Sequence, residues 1–163
     1  MSISILLVGI GQSLRGDDAA GLEAVRLWQA SYLENTPEVQ VEFCELPGLD
    51  LLNLLAGPST AILVDAVVSG AAPGTVHILD REQLAAFLPG SNSAHGWGVA
   101  ETLKIGSLVD PQALPGKIIL IGIEASQMEL GAGLSRDVKN ALGEVVRVIQ
   151  EEIEKAKRLD VLC

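Results

Sequence analysis

Five short runs of apolar and β-branched residues divide the chain and predict five β-strands. They cover residues 3–10, 39–44, 61–66, 75–79 and 117–123. The first, third and fifth runs are almost continuously apolar, which is typical of strands covered by helices on both faces of a sheet. The second and fourth runs alternate between apolar and polar residues, which predicts strands nearer the edges. The pattern therefore predicts three central and two outer strands.

Segments with helical periodicity separate most of these strands. Residues 18–32 place apolar side chains every three or four positions, and Ser135 is a suitable N-cap for a long C-terminal helix. Shorter helices are predicted at residues 50–55, 82–87 and 97–105. The order of elements predicts one α/β domain over residues 1–163, a three-layer α/β/α sandwich around a twisted five-stranded sheet that is mainly parallel or mixed. Ligands of such sheets bind beyond the carboxyl ends of the strands, so we expect the chemistry there.

Composition narrows the classes of function. The 163 residues are 48% hydrophobic but only 3% aromatic, and the net charge of −10 comes without a cluster of Lys and Arg, which disfavours nucleic acid or an anionic membrane as a partner. No apolar stretch approaches the roughly 18 residues of a membrane span, and the first residues lack the basic segment of a signal peptide. The two cysteines lack the spacing of a zinc site or a disulfide framework. We therefore expect a cytoplasmic protein.

The stretch "GIGQSLRGDDAAG" at residues 9–21 joins the first strand to the first helix and raises the question of a nucleotide site. Gly16 comes two positions later than a dinucleotide-binding turn requires, and no Gly-Lys-Ser/Thr follows as in a P-loop. Asp17 and Asp18 would also repel a phosphate at the helix N-terminus. A nucleotide-binding module is therefore the weaker alternative, and no organic cofactor is expected. We predict that Asp17 caps the helix and that Asp18 is the reacting or ligating group.

Two further polar residues are predicted at the same edge of the sheet. Asp65 ends a central strand in "AILVDAV", where a charged group is costly unless it is paired or coordinated. His95 lies in the polar loop "SNSAHGW" before a predicted helix, whose N-terminus favours the neutral imidazole that can ligate a metal. Asp18, Asp65 and His95 together resemble a three-ligand divalent metal site with room for a further ligand. The ordinary alternatives are a cap, a strand-ending acid and a solvated loop histidine, and His77 is expected to be a surface or edge residue.

Five segments in order resemble the motifs of a known family. They are "LLVGIGQSLRGDDAAG", "GLDLLNLL", "AILVDAV", "SAHGWGVAETL" and "GIEASQMELGAGLSRDVKNAL". These segments resemble the hydrogenase maturation proteases, the endopeptidases that trim the C-terminus of the large-subunit precursor of nickel–iron hydrogenases. The resemblance covers nearly the whole chain and implies a fold of the kind predicted above. Two departures are Gln12, where the family more often has Asn, and Asp17-Asp18-Ala19, where the family more often has Asp-Glu or Asp-Asp-Gly.

The resemblance also implies a substrate and a mechanism. The substrate would be the hydrogenase precursor already loaded with nickel, which Asp18, Asp65 and His95 would recognise without holding a permanent metal. Asp18 and Asp65 are the candidate catalytic residues, acting either beside a metal that polarises water and carbonyl or as a general base, as in aspartic peptidases. A covalent mechanism is disfavoured because Ser93 is too close to His95 along the chain and Cys44 is expected to be buried. We expect a monomer, and another metal-dependent or acid peptidase on the same fold is the alternative.

An extended peptide substrate needs an exposed groove. The candidates for its walls are Leu49, Leu51, Leu52, residues 88–98 and Trp97 within that loop. Leucines at helical spacing are more often core residues, so the leucines also have a structural interpretation. Glu124 and Gly131 match the family as well, and we expect them to shape loops beside the site.

Overall fold

The computed structural model describes residues 4–87 and 98–162. Within those ranges five strands form one sheet, and five α-helices flank it. The strands are β1 (Ile5–Ile10), β2 (Val39–Cys44), β3 (Thr60–Val67), β4 (Val76–Asp80) and β5 (Lys117–Glu124). The helices are α1 (Ala20–Tyr32), α2 (Leu49–Leu55), α3 (Arg81–Phe87), α4 (Val99–Val109) and α5 (Arg136–Val161).

The strands lie in the order β2-β1-β3-β5-β4. The pairs β1–β2, β1–β3 and β3–β5 are parallel, whereas β4 runs antiparallel to β5. The two strands with alternating sequences lie at the edges, and the three continuously apolar strands lie at the centre. The predicted α/β fold is therefore confirmed, with a mixed sheet.

Helices cover both faces of the sheet and create two cores. On one face α1 and α5 pack over side chains such as Leu7, Val64 and Ile121. On the other face α2, α3 and α4 cover Leu6, Leu63 and their neighbours. Successive residues of a strand point to opposite faces, so each central strand buries side chains in both cores. This explains why those strands are continuously apolar in sequence.

The helices begin and end close to the predicted positions. The first helix starts later than predicted because residues Gly16–Ala19 form a turn of 3-10 helix before α1. Ser135 occupies the N-cap position of α5, as predicted, although its side chain makes no capping hydrogen bond to that helix. Within the two described ranges, none of the helices combines the length and the apolar character needed to cross a membrane.

Gly21 allows α1 to start directly against the sheet. A Cβ atom added to Gly21 would lie 2.2 Å from the carbonyl oxygen of Val64 and 2.6 Å from that of Ile10. These oxygens belong to the carboxyl-terminal parts of β3 and β1, so the absence of a side chain lets the helix approach closely. The N-terminal end of α1 therefore lies at the edge where ligands of such sheets bind.

We expect Gly21→Ala to lower the free energy of unfolding by about 1–3 kcal/mol, because the added methyl group must push α1 away from β1 and β3. The matched control is Gly143→Ala in α5, where an added Cβ meets no atom within 4 Å. That change should raise stability by about 0.5–1 kcal/mol, since glycine is unfavourable inside a helix. Urea unfolding of both variants checks the contrast, and equal stability of Gly21→Ala and wild type would contradict it.

Candidate functional site

Asp18 and Asp65 come together at the carboxyl edge of the sheet. Asp18 is buried in the 3-10 turn before α1, and its Oδ2 accepts a hydrogen bond from the backbone N–H of Gln12 at 3.2 Å. Asp65 lies in β3, opposite Gly122 of β5, and is partly exposed. The negative charge of Asp18 acts on Asp65, so two of the three predicted site residues lie near each other although they are 47 positions apart in the sequence.

Desolvation raises the pKa of Asp65 well above its ordinary value, and the negative charge of Asp18 raises it further. The backbone N–H of Ala66 opposes this shift only in part. The ionised form of Asp65 is therefore unfavourable in the folded protein. A proton or a cation between the two carboxylates would relieve the repulsion.

Asp17 does not cap the helix that follows it, so that prediction is wrong. Its fully buried carboxylate accepts hydrogen bonds from the backbone N–H groups of Ser126, Gln127 and Ser135 and from the Ser135 hydroxyl, at 2.6–3.0 Å. Desolvation alone would raise the pKa of Asp17, but these hydrogen bonds outweigh it and hold the pKa below its ordinary value. Asp17 therefore ties the start of α1 to the segment between β5 and α5, while its neighbour Asp18 lies beside Asp65.

The glycine loop between β1 and α1 uses its own backbone N–H groups. The N–H of Gln12 donates to Asp18, and the N–H of Ser13 donates to the carboxylate of Glu45 at 3.3 Å. Two further N–H groups of the loop donate to carbonyl groups of the loop that follows β5. A phosphate site needs such groups aimed at the ligand, but here carboxylates and carbonyls accept them. The geometry therefore disfavours a nucleotide in this loop.

Glu124 shapes the connection between β3 and β4, as expected from the sequence. Its buried carboxylate accepts hydrogen bonds from the N–H and hydroxyl of Ser69 and from the N–H of Gly70, and lies 3.1 Å from Nε2 of His77. Desolvation raises the pKa of Glu124, but these contacts together hold it below its ordinary value. His77 lies on an edge strand, as predicted, and contacts Glu124 there. Gly131 adopts φ +81° and donates its N–H to the carbonyl of Leu14.

Cys44 is not placed to act as a nucleophile. It is buried at the end of β2, and desolvation raises the pKa of its thiol. The negative charges of Asp50 and Asp65 raise that pKa further. Since the thiolate is the reactive form, this thiol is unreactive, in agreement with the sequence-based prediction.

The leucines proposed as groove walls differ in position. Leu51 is fully buried in the core, so it cannot contact a substrate and that prediction is wrong. Leu52 is half-buried and lies beside α4. A Cβ atom added to Gly106 of α4 would be only 2.7 Å from the side chain of Leu52. Leu49 is 72% exposed and remains available for contact. The structural interpretation, in which leucines at helical spacing are core residues, holds for Leu51 but not for Leu49.

The predicted third ligand, His95, and the predicted groove residue Trp97 lie outside the described residues. In the part of the chain that the structure does describe, no group of three or more His, Cys, Asp and Glu side chains is arranged to hold a metal. The pair of Asp18 and Asp65 nevertheless suits a cation chemically, because two repelling carboxylates supply negative charge and oxygen donors. Imidazole and carboxylate are both ligand types that nickel accepts.

Known proteins share this sequence pattern. A family model described as "HycI: Hydrogenase maturation protease" matches residues 32–152, a range that contains Asp65 but not Asp18. The Hydrogenase 2 maturation protease of Escherichia coli (strain K12) is 31% identical over 153 residues, which cover 90% of this chain and 91% of that protein. The hydrogenase expression/formation protein HoxM of Cupriavidus necator is 28% identical, covering 87% of this chain and 70% of that protein.

Solved structures share the fold. The hydrogenase maturating endopeptidase HybD from Escherichia coli matches with a TM-score of 0.78 and 26% identity, covering 94% of both chains. The NiFe hydrogenase maturation protease HybD from Thermococcus kodakarensis matches with a TM-score of 0.71 and 27% identity, covering 91% of this chain and 98% of that one. The similarity therefore extends over nearly the whole chain.

Replacing Asp17 by Ala should lower the free energy of unfolding by about 3–5 kcal/mol, because three backbone N–H groups and one hydroxyl lose a buried acceptor. Asp50→Ala is the control, since Asp50 is an exposed acid near the same edge. Urea unfolding at neutral pH measures both. A loss at Asp17 no larger than the loss at Asp50 would show that the tie between α1 and the start of α5 is unimportant.

Asp65→Asn should raise the melting temperature near neutral pH by a few degrees. Because the pKa of Asp65 is raised on folding, the wild type gains stability as pH falls from that raised value to the unfolded value of about 3.9. The advantage of the variant should therefore shrink as the solution is acidified and disappear below about pH 4. Melting curves across this pH range test it, with the exposed Glu129→Gln as a charge control. An advantage that does not vary with pH would contradict the repulsion described above.

Proposed function

The chain belongs to the hydrogenase maturation protease family, and from that premise we propose how it acts: as an endopeptidase that removes the C-terminal extension from a nickel–iron hydrogenase large-subunit precursor. The observation that carries the proposal is the pair of Asp18 and Asp65 at the carboxyl edge of the sheet, with the pKa of Asp65 raised. Such a pair supplies a base and an acid at neighbouring positions, which peptide hydrolysis requires.

The roles of the two carboxyl groups follow from their surroundings. Asp18, as the carboxylate, removes a proton from water while the water oxygen bonds to the carbon of the scissile peptide. Asp65 keeps its proton more readily than an ordinary carboxyl group and donates it to the leaving nitrogen as the C–N bond breaks. A proton then passes from Asp18 to Asp65 through solvent and restores the pair. This assigns the chain an aspartic-type mechanism without a covalent intermediate.

Nickel enters the proposal as part of the substrate. Asp18, Asp65 and His95 would contact nickel that the precursor already carries while the precursor is recognised, and this contact would restrict cleavage to loaded precursor. The two carboxyl groups would act as base and acid once they are freed from the metal. The support for this step is the repulsion between the two carboxylates, which a cation relieves. A bound cation also polarises a nearby carbonyl or water. The general-base route is favoured here because the raised pKa of Asp65 gives the pair its acid as well as its base.

The test is a cleavage assay on the cognate precursor, purified with and without nickel and analysed by mass spectrometry. Wild-type protein should release one C-terminal peptide from loaded precursor. Asp18→Asn and Asp65→Asn should each lower kcat by at least about a hundredfold, the lower range of general acid–base effects. Glu34→Gln, which removes an exposed carboxylate just before β2, away from the carboxyl ends of the strands, should cleave like the wild type.

Each part of the proposal can fail separately in that assay. Cleavage of both precursor forms at equal rates would contradict nickel gating and favour an ordinary acid peptidase on this fold. Full activity of Asp18→Asn would remove Asp18 from the catalytic pair. The His95→Ala variant should lose the preference for loaded precursor, and an unchanged preference would exclude His95 from nickel recognition.

A further inference from the structure

Every loop that follows a parallel strand at the carboxyl edge carries an exposed apolar side chain. We call this set the apolar rim. Its members and exposed fractions are Leu14 after β1 (70%), Leu46 and Leu49 after β2 (62% and 72%), Val68 after β3 (56%) and Leu130 after β5 (79%). Single exposed apolar residues are common on protein surfaces. A set distributed over all four loops around Asp18 and Asp65 is a feature of the site.

Hydrogen bonds between neighbouring loops hold the apolar rim in place. The N–H of Gly131 donates to the carbonyl of Leu14 at 2.8 Å, which joins the loops after β5 and β1. The N–H of Ser13 donates to Glu45, which joins the loops after β1 and β2. The loop after β3 is fixed by the contacts of Ser69 with Glu124. A surface that is ordered before binding loses less conformational entropy when a partner docks.

The charges inside the apolar rim restrict what can bind there. Asp18 and Asp65 lie at the same carboxyl edge as the apolar rim, and Asp50 and Glu45 add negative charge at the side of β2. The chain as a whole carries a net charge of −10. A second copy would present the same acidic centre to this face, and an anionic lipid surface would also be repelled. The complementary partner therefore has a cationic centre flanked by apolar side chains.

We propose that the apolar rim docks the apolar residues that flank the cleavage point of the hydrogenase precursor, while the cationic centre of that segment lies against Asp18 and Asp65. This inference rests on the proposed function, because it takes the precursor as the occupant. It assigns substrate binding to exposed apolar residues that follow four different strands, of which only Leu49 was indicated by the sequence. The rim supplies affinity and the carboxylates supply the chemistry.

The experiment compares paired variants in the cleavage assay with nickel-loaded precursor. The test pairs are Leu14→Ser with Leu130→Ser, and Leu46→Ser with Leu49→Ser. The matched control pair is Leu108→Ser with Val109→Ser. Both residues are 78% exposed at the C-terminal end of α4, which leads to the start of β5 and therefore lies at the amino ends of the strands. Each test pair should raise KM roughly tenfold, given the apolar area of two leucines, and should leave kcat within about twofold. The control pair should leave both constants unchanged.

Several outcomes would overturn the proposal. An unchanged KM in both test pairs, while the wild type cleaves normally, would reject docking without affecting the proposed function. Absence of cleavage by the wild type and the control pair would instead reject the proposed function. A fall in kcat alone would mean that the leucines maintain the geometry of the site. Size-exclusion chromatography tests whether a second copy of the chain binds there instead. A wild-type dimer that the test pairs abolish would identify the apolar rim as a self-association surface. Melting curves establish that each variant is folded.

Discussion

The close approach of α1 to β1 and β3 at Gly21, where a side chain would collide with the carbonyl oxygens of Val64 and Ile10, is the constraint on which the site depends. Because no side chain intervenes, α1 begins at the carboxyl ends of β1 and β3, and the turn before it carries Asp18 to Asp65. Any larger residue would move the helix outward and separate the two carboxylates. Desolvation is the main cause of the raised pKa of Asp65, and this packing requirement adds to it by bringing the charge of Asp18 close.

The two adjacent acids of this turn have opposite energetic roles. Asp17 is surrounded by hydrogen-bond donors that stabilise its ionised form, so it contributes to stability. Asp18 instead increases the cost of ionising Asp65, which lowers stability at neutral pH. Repulsion of this kind is tolerated at functional sites when the surrounding structure is held firmly. Here the hydrogen bonds of Asp17 fix the same turn that presents Asp18.

The glycine loop illustrates how a motif can indicate backbone geometry without indicating a ligand. Gly11 has φ +145°, and a Cβ atom added to it would lie 1.8 Å from the carbonyl oxygen of Asp18. The glycines therefore allow a tight turn that folds back on the start of the helix. The N–H groups of this turn donate to carboxylates and to backbone carbonyls, so the turn supports an acidic site and does not bind a phosphate.

The sequence by itself determined the strands, their central or outer positions, and the placement of Asp18 and Asp65 at the ends of elements that share one edge. It could do so because burial on two faces leaves a continuous apolar run, and burial on one face leaves alternation. The tertiary structure decided the antiparallel direction of β4, the burial of Leu51 and the grouping of the apolar rim. It also decided the partners of Asp17, which lie 109 to 118 residues away. A local pattern records whether a side chain is buried, whereas the group it contacts is set by parts of the chain that only folding brings together.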